Sequence, residues 1–201
     1  VNGGVQSYLK IRDQSGGGGN EIGDVTMSTD QSLTLYAAVY DADENYLQDL
    51  FVDWVSSGDL DAVSASGTSF TFSPTTGPTS GQIWITSGSL ISDVTGTITV
   101  NSGAQLYVKI RDQSGGEGNE VGDVTMTTNE TLDLYAAVYD ADDNFLDNIQ
   151  VSWSFSGTLD APAIVTGISY TFPPTTASTS GTISISSGTL TGDATGIITV
   201  T

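Results

Sequence analysis

Two acidic stretches, each written twice in the chain, hold the side chains best suited to chemistry. The first is Asp41-x-Asp43-x-Asn45, which recurs as Asp140-x-Asp142-x-Asn144, with Asp49 and Asp147 a few residues further on. Alternate oxygen-bearing side chains in a tight turn can converge on one cation. Calcium takes roughly six to eight oxygens at about 2.3–2.6 Å in irregular geometry, whereas magnesium demands a stricter octahedron, so the spacing nominates calcium. The competing reading is a solvated turn whose Asp and Asn side chains bond their own backbone. Tyr46 and Phe145 stand where an EF-hand loop requires Gly, which argues against that motif.

The second stretch places Asp13, Glu21 and Asp24 around the run Gly16 to Gly19, and repeats as Asp112, Glu120 and Asp123 around Gly115 to Gly118. Clustered carboxylates without a compensating cation repel one another, so a bound calcium would remove that cost and order the loop. The alternative is a polar loop inserted between two halves of the first strand. Four successive glycines predict a flexible arm, and Glu117 in place of Gly18 shows that this position is not geometrically demanding. A phosphate cradle is a poor reading, because no Lys follows the glycines and the local field is negative.

Aromatic residues offer a third possibility. Tyr8, Tyr36, Tyr40 and Trp84 fall on outward positions if Leu35 and Ile85 face inward. Were their strands neighbours, they would make an aromatic row flanked by Asp, Asn and Thr, as a carbohydrate-binding face needs. The second copy keeps Tyr107, Tyr135 and Tyr139, but Ser184 replaces Trp84. Cross-strand packing and contact with an adjacent domain are the other readings. The four basic residues, Lys10, Arg12, Lys109 and Arg111, sit in matched places. Lys10 and Lys109 alternate with apolar residues and are expected to face outward, paired with a carboxylate or stacked over Tyr36 or Tyr135, which argues against isopeptide cross-links.

The chain contains no His and no Cys. Imidazole bases, thiolate nucleophiles, N/S metal sites and disulfides are therefore excluded. Ser and Thr hydroxyls lack a base to activate them. Carboxylate pairs for glycoside hydrolysis would need a cleft that acidic turns on a small sandwich do not build. The expectation is a non-catalytic protein.

The elements that must position these residues are strands. Apolar residues alternate with period two at Leu9/Ile11, Leu33/Leu35/Ala37/Val39, Leu50/Val52/Trp54, Phe70/Phe72, Ile83/Ile85 and Ile98/Val100, separated by Gly, Pro, Asp, Ser and Thr clusters. No segment reads as a helix. Most of the chain is also a duplication. Lys10 to Gly17 recurs at Lys109 to Gly116, Leu35 to Asp43 at Leu134 to Asp142, and Val1-Asn2 at Val100-Asn101. The offset grows from 99 to 100 residues by Phe72 and Phe172, placing one extra residue between Ala161 and Tyr170. A period this long is a domain repeat, not a solenoid repeat. The fold class is all-β: two tandem two-sheet β-sandwiches of about seven short strands each, residues 1–100 and 101–201. Trp54 and Trp153 are assigned to the two cores.

On these patterns each copy resembles the bacterial immunoglobulin-like domains strung in tandem in invasin- and intimin-type surface proteins. The matching residues are Leu33 to Val39, the turn Asp41 to Asn45, Val52-Asp53-Trp54, Phe70-Thr71-Phe72 with Pro74-Thr75-Thr76, Gly81 to Ile85 and Gly96 to Val100. The second copy repeats the pattern through Leu132, Asp140, Val151, Trp153, Tyr170, Pro174, Ile183 and Val200. The resemblance implies stalk, adhesin or accessory modules whose partners are adjacent repeats of the same chain. A glycan- or surface-protein-binding module is the alternative.

Charge narrows the partners. The 201 residues carry 24 Asp or Glu against four Lys or Arg, a formal charge of -20. That excludes nucleic-acid binding, which needs cations against phosphate. It also excludes a basic membrane-surface patch, and no apolar run is long enough to span a bilayer. Acidity with abundant Thr, Ser and Gly predicts an exported, extracellular or bacterial cell-surface protein. Val1-Asn2-Gly3-Gly4 reads as the start of an excised fragment, and both ends fall on repeat boundaries. The Asn129-Glu130-Thr131 sequon has no counterpart in the first copy, where Asp30-Gln31-Ser32 stands, and is ascribed to chance.

Overall fold

Alternating side chains in Thr-, Val-, Ile- and Tyr-rich runs favour a pleated, half-buried backbone. The computed structural model describes residues 4–160, 162 and 165–201. The chain folds into two compact units, Val1–Gly103 and Ala104–Thr201. Each is all β-structure, and the described residues include no helix.

In the first unit the strands are β1 (Tyr8–Arg12), β2 (Val25–Ser28), β3 (Leu33–Tyr40), β4 (Tyr46–Asp49), β5 (Val52–Ser56), β6 (Ser64–Gly67), β7 (Ser69–Phe72), β8 (Thr79–Gly81), β9 (Ile83–Thr86), β10 (Asp93–Val94) and β11 (Ile98–Asn101). Those of the second unit are β12 (Tyr107–Arg111), β13 (Val124–Met126), β14 (Leu132–Tyr139), β15 (Phe145–Asn148), β16 (Val151–Phe155), β17 (Val165–Gly167), β18 (Ser169–Phe172), β19 (Thr179–Gly181), β20 (Ile183–Ser186), β21 (Asp193–Ala194) and β22 (Ile198–Val200).

The first unit sets β1-β3-β4, with β7 also on β3, against β10-β9-β5-β6, and β2-β11-β8 forms a third ladder. The second unit repeats all three. The segments outnumber the expected seven because several passes of chain change ladder midway. Thr68 separates β6, which pairs with β5, from β7, which pairs with β3. Gln82 likewise separates β8, on β11, from β9, on β5. The first strand is split the same way: β1 runs antiparallel to β3 and β2 parallel to β11. This is an immunoglobulin-like sandwich, and two of them stand in tandem.

The cores lie between the ladders. Leu35, Trp54, Ile83, Ile85 and Ile98 are fully buried in the first, and Leu134, Ile183 and Ile198 in the second, with Trp153 1% exposed. Each core Trp also satisfies its one donor: Trp54 Nε1 reaches the Gly67 carbonyl and Trp153 Nε1 the Gly167 carbonyl, both at 3.1 Å. These two glycines are 100 residues apart, whereas Asp61 and Asp160, which make matching bonds, are 99 apart. The extra residue therefore falls between Asp160 and Gly167, a stretch in which Ala161, Ala163 and Ile164 lie outside the described residues, as do Val1 and Asn2.

Candidate functional site

The glycine-rich stretch is the inserted loop between the halves of the first strand, and it is tied down. Arg12, projecting from the end of β1, donates from Nε to the Gly18 carbonyl at 3.2 Å and from Nη2 to the carbonyls of Gly17 and Gly19 at 3.3 and 2.8 Å. The Gly16 N–H donates to the Asp49 carboxylate at 3.0 Å, and the Asn20 N–H to Asp13 Oδ1 at 2.7 Å. The expectation of a flexible arm is corrected accordingly, because a planar guanidinium can hold several carbonyls at once. Gly16, Gly17 and Gly19 have positive φ, as have Gly115, Gly116 and Gly118. Gly18 and Glu117 do not, which is why that one position accepts a side chain.

Nor do the acidic residues around this loop converge. Glu21 pairs with Lys10 at 3.1 Å, and Asp24 Oδ1 accepts the Thr97 N–H at 2.8 Å. In the second unit Glu120 meets Lys109 at 3.6 Å, Asp112 accepts from the Asn119 N–H at 2.7 Å, and Asp123 accepts from the Ile197 N–H at 2.7 Å. The counter-charge for Glu21 is Lys10, while Asp13 and Asp24 take backbone N–H donors instead.

The Asp-x-Asp-x-Asn turns close on their own backbone. Asp41 is buried, and its Oδ1 accepts the N–H groups of Asp43 and Asn45 at 3.0 and 2.9 Å, while the Asn45 amide spans both carboxylate oxygens at 3.1 Å. Asp140 repeats the arrangement with Asp142 and Asn144, at 3.0 and 2.9 Å. The Asn45 N–H and side-chain amide hold the Asp41 carboxyl below its ordinary range despite burial. These lone pairs face N–H donors, which is the Asx-turn arrangement. Asp49 instead accepts from Gly16 and from the Tyr46 hydroxyl, and Asp147 Oδ1 from the Asn148 N–H. Among the described residues no three or more acidic side chains gather in a way that could hold a metal ion.

The aromatic row divides between two ladders. Tyr8 lies opposite Tyr40 on β1 and β3, with their rings stacked at 5.6 Å, and Tyr46 packs edge-on to Tyr40 at 5.9 Å. Tyr36 lies on the same strand as Tyr40, opposite Arg12. Trp84 sits on β9, in the other sheet, opposite Val55 and Val94. The expected contiguous face of Tyr8, Tyr36, Tyr40 and Trp84 is thus not formed, since alternation shows which way a residue points but not which strands are neighbours. Tyr40 is also buried, covered by Tyr8, Tyr46 and the loop carbonyl of Gly17, which its hydroxyl reaches at 3.4 Å. Lys10 lies 5.8 and 5.9 Å from the rings of Tyr8 and Tyr40, and Lys109 5.4 and 5.5 Å from those of Tyr107 and Tyr139, in place of the expected Tyr36 and Tyr135. In the second unit Asp143 also bonds the Tyr107 hydroxyl and lies 3.3 Å from Lys109. Burial and that carboxylate push the Tyr107 hydroxyl well above its ordinary pKa.

Two carboxylate pairs escaped the sequence argument. Asp93 and Asp193 each accept a strand N–H, from Ile11 and Ile110, at 2.7 Å. Asp61 and Asp160 each clamp the Pro-Thr-Thr turn, accepting the backbone N–H of Thr75 or Thr175 at 2.6 Å and the threonine hydroxyl beside it. The signal was their recurrence in both copies amid otherwise variable Ser, Thr and Gly.

Comparison with solved structures finds distant similarity. The whole chain is similar to extracellular domains 3–5 of Drosophila OTK, at 11% identity over 67% of that chain with TM-score 0.46. Over 96% of its length it is similar to the fibronectin(III)-like modules of Clostridium thermocellum CbhA, at 10% identity over 94% of that chain with TM-score 0.28. It is similar throughout to the four N-terminal Ig domains of Dscam1 isoform 4.44, at 9% identity over 47% of that chain with TM-score 0.32. No family model and no curated protein matches the chain. The fold assignment rests on the strand topology itself. The chain is a tandem of immunoglobulin-like modules in which Glu21 serves a lysine, Asp93 a strand N–H and Asp61 a turn.

Proposed function

We propose that this chain is a spacer segment of an extracellular or bacterial cell-surface protein, two units of a longer array whose partners are adjacent repeats of the same chain. The observation that carries the reading is the repetition of the loop fastenings. Each copy ties its glycine-rich loop through Arg12 or Arg111, closes its acidic turn on Asp41 or Asp140 and clamps its Pro-Thr-Thr turn through Asp61 or Asp160. Loops committed to internal bonds suit a module that must keep its shape more than one that must close on a substrate. The strong negative charge supports solubility and an exported location.

Pulling single molecules of the tandem between handles tests the reading. Two unfolding events of similar contour length and high force are expected. A unit that extends without a force peak would remove the mechanical role.

A further inference from the structure

The outer face of the β10-β9-β5-β6 sheet differs between the two copies in a concerted way. In the first unit Val94, Trp84 and Val55 lie directly opposite one another across three strands, with Phe51 and Asp53 on the same side of the β5 run. Phe51, Val55 and Trp84 are 65%, 49% and 42% exposed, and Asp53 is exposed. The corresponding residues of the second unit are Gln150, Ser152, Ser154, Ser184 and Ala194, with Ser154 and Ser184 joined by a 2.8 Å hydrogen bond. The inner faces of the same strands are unchanged: Val52, Trp54, Ile83 and Ile85 recur as Val151, Trp153, Ile183 and Ile185. The sandwich therefore does not require an apolar outer face here, and the first copy carries one together with the Asp53 carboxylate.

We infer that this face of the first unit is a docking surface for a cationic, arginine-bearing peptide segment laid across the strands, with a guanidinium over the Trp84 ring and Asp53 as its counter-charge. Three observations select that occupant. The four strands contain no Lys or Arg, so an incoming cation meets no like charge on this sheet, and the chain as a whole carries -20. Trp offers the strongest cation–π face of the aromatic side chains, and arginine the most weakly hydrated cation to place on it. The exposed apolar strip amounts to roughly 300 Å², far below the ~800 Å² a side of a stable dimer, so a second copy of this acidic chain is excluded on both area and charge. Asp53 is already oriented, since the Ser66 hydroxyl donates to its Oδ1 at 2.7 Å.

The test uses the full chain and hexa-arginine, followed by calorimetry and by Trp emission. Trp54 and Trp153 are buried, so a ligand-induced change in emission reports Trp84. The variants Val55→Ser with Trp84→Ser, and Asp53→Ser, install residues the second unit already carries on the same backbone, and unchanged far-ultraviolet spectra confirm that they fold. The expected result is saturable binding that each variant weakens about tenfold. Equal affinity of the wild type and both variants would reduce the interaction to nonspecific charge attraction and overturn the proposal. Neutral oligosaccharides that shift Trp84 emission where hexa-arginine does not would assign the face to a glycan instead. A concentration-dependent dimer abolished by the Trp84 variant would assign it to a second copy.

Discussion

Nη2 of Arg12 lies 2.8 Å from the carbonyl oxygen of Gly19, across a loop that leaves and returns to the same sheet edge. Arg12 belongs to β1 and Gly19 to the loop that follows it, so the strand that starts the sandwich also fastens its own insertion. In the second unit Arg111 Nη2 reaches the Gly116 carbonyl at 2.9 Å, but Arg111 Nε is buried without a hydrogen-bond partner.

Arg12→Ala is expected to lower stability by about 1–3 kcal/mol, because several loop carbonyls lose a charged donor. Arg111→Ala should cost less, since Arg111 makes fewer such bonds than Arg12. Arg12→Lys restores charge but not the fork and should recover only part of the loss. Thermal unfolding with hydrogen exchange of the loop amides measures all three. Equal effects of the two alanine variants would contradict the ranking.

Gly17→Ala and Gly18→Glu separate conformation from composition. Gly17 has φ 68° and packs against the Tyr46 ring, so a methyl group there meets both backbone strain and a clash. A drop in stability is expected for Gly17→Ala, while Gly18→Glu, which copies Glu117, leaves stability within about 0.5 kcal/mol of the wild type. Denaturant titration gives the two values directly.

Stability should fall as acid reaches Asp160. The N–H donors of Thr175 and Thr176 hold its pKa at about 2 against an ordinary 3.8. A depressed carboxylate stabilises the fold above its unfolded pKa, and that contribution is lost as pH falls through the folded value, here between about 4 and 2. Asp160→Asn should flatten that part of the profile. Asp93 acts in the opposite sense: burial pushes its pKa up, so its ionised form is disfavoured by folding and stability is lost as pH rises through the folded value. Asp93→Asn keeps an acceptor for the Ile11 N–H without the buried charge and should preserve stability, while Asp93→Ala orphans that donor at a cost of about 1–3 kcal/mol. Melting temperatures at stepped pH decide between them.

Calcium should act on this chain only as ionic strength. The carboxylate oxygens of Asp41 and Asp140 already accept N–H donors. Their melting behaviour in calcium and in sodium at matched ionic strength is expected to coincide. Saturable calorimetric binding lost in Asp140→Ala with Asp142→Ala would restore the ion to these turns.

Much of the architecture was legible without coordinates. Period-two alternation placed Leu35, Trp54, Ile83, Ile85 and Ile98 inside, and duplication announced two similar sandwiches, because burial of one face imposes a pattern on a strand that survives in its sequence. The exchange of Gly18 for Glu117 correctly marked the one position of the glycine run without positive φ, since only a residue with ordinary backbone angles can be swapped so freely. What the pattern could not contain was adjacency. Trp84 and Tyr40 both point outward, yet they lie in different sheets, and only closure of the sandwich decides which strands share hydrogen bonds. The fate of the acidic residues was tertiary for the same reason. Asp13, Glu21 and Asp24 are near in sequence, but they meet a loop amide, a lysine across the strand and an amide 73 residues away. A carboxylate takes whichever donor folding brings within reach, and spacing along the chain carries no record of that choice.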